Sequence, residues 1–441
     1  MIKVKVGQIL NRVKETLIIQ DEQEYKRLTI RMYHKGVCLR DTEMGANIGT
    51  KNQFVARSGQ FIMSRIDARN GAFGIIPESI GQGAITNDFL SFTVNEDLVS
   101  IKFFKLYSQT DSFMQLCIEG SKGTTNRKRL KEEFFLEFEV FLPDIESQGQ
   151  IVSQISKLQT FNEILDSELH FQNKSIQNLR QSILQEAVQG KLVSQDTNDE
   201  PVSVLLAKIR AEKELLIKEK KIKKEKPLPE ISEEEIPYGL PNGWELVRLQ
   251  DITSIITCGY ASTPNYVEKG KTFLSAKNVK PYKFMPEDHK FISEEDYHKL
   301  TQNAKPEVND ILLTRVGAGI GEAAIVDKEF DFAIYVSLTL IKPFKNHIDS
   351  KYLLHWINSP EGVGKALKNT YGVGVSQGNL NVNQVRKYVI PLPPYSEQKR
   401  IVEKVDKLMI LCDNLEKTVV QSRQESELLM RSILKEAFQF A

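Results

Sequence analysis

An internal repeat constrains this chain more than any other feature. Residues 142–190, LPDIESQGQIVSQISKLQTFNEILDSELHFQNKSIQNLRQSILQEAVQG, meet a second copy when shifted by 250 positions without a gap. Leu142, Pro143, Gln148, Ile151, Val152, Lys157, Leu158, Leu165 and Leu179 match Leu392, Pro393, Gln398, Ile401, Val402, Lys407, Leu408, Leu415 and Leu429. Ser182, Ile183, Leu184, Glu186, Ala187 and Gln189 likewise match Ser432, Ile433, Leu434, Glu436, Ala437 and Gln439. The same offset reaches upstream, where FIMSRIDARNGAFGII faces ILLTRVGAGIGEAAIV and pairs Arg65 with Arg315, Ala68 with Ala318 and Gly71 with Gly321. Self-similarity of this length means a duplicated unit, here a globular module followed by a long helix.

Both helical segments carry heptads. Steps of 4 and 3 from Ile151 give Ile155, Leu158, Asn162, Leu165, Leu169, Gln172, Ile176, Leu179 and Ile183; the second copy gives Ile401, Val405, Leu408, Cys412, Leu415, Val419, Ser422, Ser426, Leu429 and Ile433. A narrow apolar seam over more than four heptads predicts a coiled coil, with the other copy as the nearest partner. Pro143 and Pro393–Pro394 mark where each helix begins. Residues 202–224 predict a shorter helix, stopped by Pro227 and Pro229. It is read as solvated, with a phosphate-facing basic strip as the alternative. Phe134–Leu142, Lys387–Leu392, Asp310–Val316 and Ser58–Ile66 read as strands. The predicted fold is α+β: two α/β domains separated by two long antiparallel coiled-coil helices with pseudo-twofold symmetry. The expected segments are 1–141, a first domain; 142–190, a first helix; 191–236, a central helix and linker; 237–391, a second domain; and 392–441, a second helix.

Several chemistries lack their residues. Leu392-Pro393-Pro394-Tyr395 has the outline of an amino-methyltransferase loop, but Leu392 cannot accept a hydrogen bond from an amine. Gly317-Ala318-Gly319-Ile320-Gly321 has the wrong glycine spacing for a dinucleotide fingerprint, and there is no GxxxxGK loop for ATP. Cys38, Cys117, Cys258 and Cys412 are isolated, with no CxxC or HExxH, so neither a disulfide framework nor a zinc site is expected. No leader peptide or membrane span is read, and a cytoplasmic protein is expected. The net charge of +1 means that any contact with nucleic acid must come from local clusters.

Two such clusters stand out in the first module: Ser64–Asn70, with Arg65, Arg69 and Asn70, and Ser121–Arg129, with Lys122, Thr124, Thr125, Arg127, Lys128 and Arg129. The second module offers Lys277, Asn278, Arg315, and Ser376, Gln377 and Asn379 in the loop after Gly372. Cations neutralise phosphates, while Arg, Asn and Gln can bond base edges in the major groove. Arg65 and Arg315, identical in both copies, suit phosphate positioning or a structural ion pair; loops that differ between the copies suit base reading.

Taken together, SVLLAKIRAEKELLIKEKKIKK with PYGLPNGWELVRLQDI (203–252), SRIDARNGAFGIIP with TNDFLSF (64–92), and PLPPYSEQKRIVEKVDKL (391–408) resemble the specificity subunit of type I restriction–modification enzymes. The resemblance covers essentially the whole chain. It implies two target-recognition domains that each read one half of a bipartite, asymmetric site on double-stranded DNA. It also implies two methyltransferase subunits docked on this chain, with restriction subunits joining them. The chain itself is then non-catalytic and binds no cofactor; S-adenosylmethionine, ATP and Mg belong to the partners. The helix neighbourhoods of Gln148/Gln398 and Ser182/Ser432 are candidate docking surfaces for the methyltransferase. The first module departs from the pattern by lacking the LPxGW run present at 240–244, so its opening strand is either trimmed or built differently. Two other classes fit the same architecture: a specificity subunit serving a fused methyltransferase–nuclease, and a coiled-coil scaffold without a DNA role.

Overall fold

The computed structural model describes residues 1–123, 128–236, 238–302, 305–371 and 378–438. Thr124, Thr125, Arg127, Ser376 and Gln377 therefore lie outside the described residues. The chain forms two compact units, Met1–His170 with Val420–Ala441, and Phe171–Val419.

In the first unit the opening strand, Ile2–Lys5, pairs antiparallel with Glu139–Leu142, Ile2 lying opposite Leu142. A four-stranded antiparallel sheet follows, in the order Leu10–Val13, Phe89–Val94, Phe61–Ser64, Phe73–Ile75. A five-stranded sheet adds Glu15–Ile18, Asn52–Arg57, Gln82–Ile85, Glu24–Arg31 and Gly36–Met44. The helices Ile101–Tyr107 and Asp111–Gly120 begin at Ser100 and Thr110, whose hydroxyls accept from the Phe103 and Phe113 amides and so satisfy donors that the first turn leaves open. Their apolar faces meet the four-stranded sheet in an aromatic core. Phe61 and Phe104 stand edge to face at 5.0 Å, and Phe73 and Phe113 at 5.2 Å. Each such buried ring stabilises the unit by about 1.5–3 kcal/mol.

The second unit repeats this order. Glu245–Arg248 pairs with Val389–Leu392, Glu245 opposite Leu392. Its four-stranded sheet runs Thr253–Cys258, Leu338–Pro343, Ile311–Thr314, Ala323–Ile325. The strand that follows LPNGW thus has its equivalent in Ile2–Lys5. The second sheets differ: four strands here (Tyr266–Val267, Lys290–Ile292, Lys271–Leu274, Phe332–Ile334), with the last pair parallel.

The apolar run Phe134–Leu142 is not one strand. Glu132–Leu136 is a short helix and only Glu139–Leu142 is extended. Glu132 and Glu133 favour a helix N-terminus, and the single turn sends Phe135 fully into the core while Phe134 stays at the surface. The central helix spans Val202–Lys218, ending before the lysine-rich tail, where Lys220 takes a left-handed φ of 58°. It is not solvated all round. Val202, Leu205, Leu206 and Ile209 are buried in the core of the second unit with Val247, Leu249 and Ile252. The linker beyond it is held by the buried Arg248, which donates to the Pro229 and Glu230 carbonyls and pairs with Glu235.

The long helices are Ile145–Val188 and Tyr395–Ala437. Within the first unit, Ser426 Oγ donates to Asn162 and Arg423 pairs with Asp166 at 3.0 Å. Within the second, Arg180 pairs with Asp413 at 2.6 Å and Glu416 at 3.0 Å. In each unit higher numbers on one helix meet lower numbers on the other. Of the seam positions, Ile155, Leu169, Ile176 and Ile183 are buried on the first helix, and Ile401, Val405 and Cys412 on the second. The seam positions Leu165, Leu179, Leu415 and Leu429 remain 41–61% exposed.

Candidate nucleic-acid interface

Three loops converge at one end of the strand Phe61–Ser64. The first continues the strand itself: Ser64 Oγ accepts from the Ile66 and Asp67 amides, Asn70 donates to Asp67, and Gly71 closes the turn at φ 72°. Arg69 and Asn70 are half-buried on this turn. The second loop joins Ser121–Lys122 to Arg129–Leu130, and its base is tied to the strand end where the Leu130 amide donates to the Arg65 carbonyl at 2.7 Å. Lys122 lies 4.6 Å over the ring of Phe134, Arg129 pairs with Asp88 at 3.0 Å, and Lys128 is exposed. The third loop is the hairpin tip Met32–Lys35, whose Tyr33 and His34 amides donate to the Asn70 and Gly71 carbonyls. Sequence reading did not mark this tip; Gly36 after it is the one turn signal in the sequence.

The second unit builds the same arrangement at the end of Ile311–Thr314. The Leu380 amide donates to the Arg315 carbonyl at 2.8 Å, and the Tyr282 amide, on the hairpin joining Val279–Lys280 to Lys283–Phe284, donates to Ala323. Lys277 is exposed and paired with Asp288.

The repeat-identical arginines both bond within the fold. Arg65 pairs with Glu132 at 2.8 Å, and Glu132 also holds Arg12 at 3.0 Å. Arg315 is buried; its guanidinium donates to the Leu380 and Val336 carbonyls and to Asn379 Oδ1 at 2.7 Å. Asn278 is 1% exposed, donates to the Met285 and Asp288 carbonyls and accepts from the Ser275 amide. These bonds use every polar group of the Asn278 side chain and three of the five guanidinium N–H donors of Arg315. Asn379 is exposed, but its oxygen serves Arg315.

Gln148 and Gln398 are themselves fully buried, while Glu146, Gly149, Gln150 and Lys399 near them are exposed. Gln148 accepts from the Ser100 amide at 2.9 Å and donates to the Leu98 and Pro143 carbonyls at 3.0 and 2.9 Å. Gln398 accepts from Asp349 and donates to Pro393. Each latches the start of a long helix to its module. Ser182 and Ser432 are exposed. Among the described residues, no three or more His, Cys, Asp or Glu side chains group as metal ligands would, and no helix is long and apolar enough to cross a membrane.

A family model described as "Type I restriction modification DNA specificity domain" matches residues 2–170 and 241–422. The chain is 28% identical over 396 residues to the type I restriction enzyme EcoAI specificity subunit of Escherichia coli, and 26% identical over 388 residues to the EcoEI specificity subunit of the same species. Each alignment takes in 77% of this chain and 65% of the relative, so the chain spans less than two-thirds of their length. Among solved structures it is similar to a chain from a study of complex assembly and conformational transition of the type I R–M system, with a TM-score of 0.65, 16% identity, and 99% and 97% of the two chains covered. It is also similar to the HsdS subunit from Thermoanaerobacter tengcongensis, with a TM-score of 0.54, 16% identity, and 99% and 96% covered.

Proposed function

Because the chain belongs to the type I restriction–modification DNA specificity family, we propose that it is the DNA-reading, non-catalytic subunit of such a system, each unit contacting one half of a bipartite, asymmetric site on double-stranded DNA. The observation that carries this reading is the duplicated convergence of loops. In each unit one strand end adjoins a turn and is tied to the base of a second loop, over a framework of matching arginines and glycines. Loops on a rigid scaffold suit a reader whose targets differ, because they can vary without disturbing the core.

In the first half-site reader, Arg69, Asn70, Lys122, Lys128 and Arg129 are the described candidates, with Thr124, Thr125 and Arg127 on the same loop. In the second, Lys277 and Asn379 are the described candidates, with Ser376 and Gln377 just before Asn379 in the sequence. The long helices serve as an antiparallel spacer pair with pseudo-twofold symmetry, holding the two readers at a fixed separation. Two methyltransferase subunits dock on this chain, and restriction subunits complete the complex. Adenine methylation, cleavage, S-adenosylmethionine, ATP and Mg belong to those partners. The exposed seam positions Leu165, Leu179, Leu415 and Leu429, with Phe161, Ile164, Ile410 and Leu411, offer apolar surface for that docking.

The test is single-molecule sequencing of modified adenines in host DNA with and without this chain. A split motif that disappears with the chain is the expected result. An unchanged methylation pattern, or DNA modification by the purified chain alone, would refute the proposal.

A further inference from the structure

The hairpin tip of the first unit is built around two consecutive non-glycine residues in the left-handed region, Tyr33 at φ 61° and His34 at φ 57°. Arg31 pairs with Gly36, and a hairpin turned this tightly requires positive φ at both central residues, positions that glycine and asparagine usually fill. The two amides are held by the Asn70 and Gly71 carbonyls at 2.8 and 3.1 Å. The His34 ring packs edge-on against Phe73 at 5.3 Å, and burial holds its pKa below the usual imidazole range, so it is neutral in this position. Gly71 makes room for it: a Cβ there would come within 3.1 Å of the His34 nitrogen.

His34 thus anchors the tip through its ring, but Tyr33 does not. Its side chain is 71% exposed, so the turn presents the ring at the surface. What the geometry achieves is placement. The hairpin also carries the exposed Arg31 and Lys35 and is tied to the turn that holds the half-buried Arg69, and these three form no ion pairs among the described residues. The same strand end carries the Ser121–Leu130 loop. An exposed aromatic ring on a loop that also carries uncompensated cations suits a polyanion whose surface also offers flat apolar faces, which describes a nucleic acid.

We propose that Tyr33 is a specificity-determining contact of the first unit, its ring lying against a base in the first half-site while Arg31 and Lys35 meet the flanking phosphates, and that His34 is the positioning residue that aims it. This rests on the DNA-reading proposal above and adds a named residue to it.

The experiment uses the full chain assembled with its methyltransferase partner. Binding is measured on a duplex carrying the motif found by methylation sequencing, on the same duplex with either half-site altered, and on a scrambled duplex. Tyr33→Ala should weaken binding to the target roughly tenfold and relax discrimination at the first half-site alone, whereas Tyr33→Phe should keep affinity within about threefold. Tyr33→Gly should lose affinity as Tyr33→Ala does while raising the thermal midpoint, because glycine adopts this φ freely; a merely structural tyrosine would not separate the two readouts. If the wild-type complex discriminates the target and Tyr33→Ala binds and discriminates equally well, this inference alone is overturned. If the wild-type complex does not prefer the target over the scrambled duplex, the DNA-reading proposal is overturned and this one with it.

Discussion

The latch made by Gln148 gives a sharp test of how the first long helix is held to its module. The side chain is fully buried and makes three hydrogen bonds to backbone groups: the Ser100 amide and the Leu98 and Pro143 carbonyls. Replacing it with leucine keeps the volume close and removes all three partners. At about 1 kcal/mol for each bond lost, Gln148→Leu should cost about 3 kcal/mol, with further cost where the orphaned groups stay dry. Gln398→Leu removes two such bonds, to Asp349 and Pro393, and should cost about 2 kcal/mol. The assay is hydrogen exchange followed by mass spectrometry on the full chain. Ser100 precedes the helix Ile101–Tyr107 as its cap, so its amide has no acceptor within that helix. About 3 kcal/mol corresponds to exchange faster by about two orders of magnitude for the peptide around Ser100, with the Asp349 peptide unaffected. Unchanged protection at Ser100 in Gln148→Leu would show that the glutamine is not the latch and that packing alone seats the helix.

Four further outcomes are expected. Gly71→Ala should destabilise the first unit by about 1–2 kcal/mol in thermal melts, since it combines a φ of 72° with a Cβ crowding His34, whereas Gly81→Ala, at φ 74° with open space around it, should cost less. Arg315→Lys should cost about 2–3 kcal/mol and blur discrimination at the second half-site, because an ammonium cannot serve Leu380, Val336 and Asn379 together; unchanged binding selectivity would refute the framework role. Burial lowers the pKa of His355 to about 4 from 6.5, so the unfolded chain takes up this proton first as pH falls. The second unit should lose about 3 kcal/mol in full between those values, and His355→Gln should flatten the slope of urea midpoint against pH from 7 to 5. Inserting one helical turn in a long helix adds about 6 Å and, on the proposed ruler role, should lengthen the unspecified gap in the methylated motif while sparing both half-sites; an unchanged gap would count against that role.

The sequence alone determined the duplication, its offset of 250 positions, the two long helices and the strands around Arg65 and Arg315, because heptad spacing and self-similarity are properties of the chain order itself. It could not say what the matching residues do. Gln148/Gln398 looked like surface positions on a helix, and only the packed module shows them sealed against backbone groups from residues about 50 positions away. Phe134–Leu142 read as one strand because a short apolar run carries no period that separates a helical turn from extended chain; the depth of the Phe135 pocket decides it. The seam of the long helices was legible, but which of its positions are covered was not: Ile155 and Leu169 are buried while Leu165 and Leu179 are not, since coverage depends on what else packs against the helix. The hairpin tip at Tyr33 was invisible for a related reason. Its turn lacks the glycine or asparagine that such a hairpin usually shows, and its contacts with Asn70 and Gly71, almost 40 positions along the chain, leave no mark on local sequence.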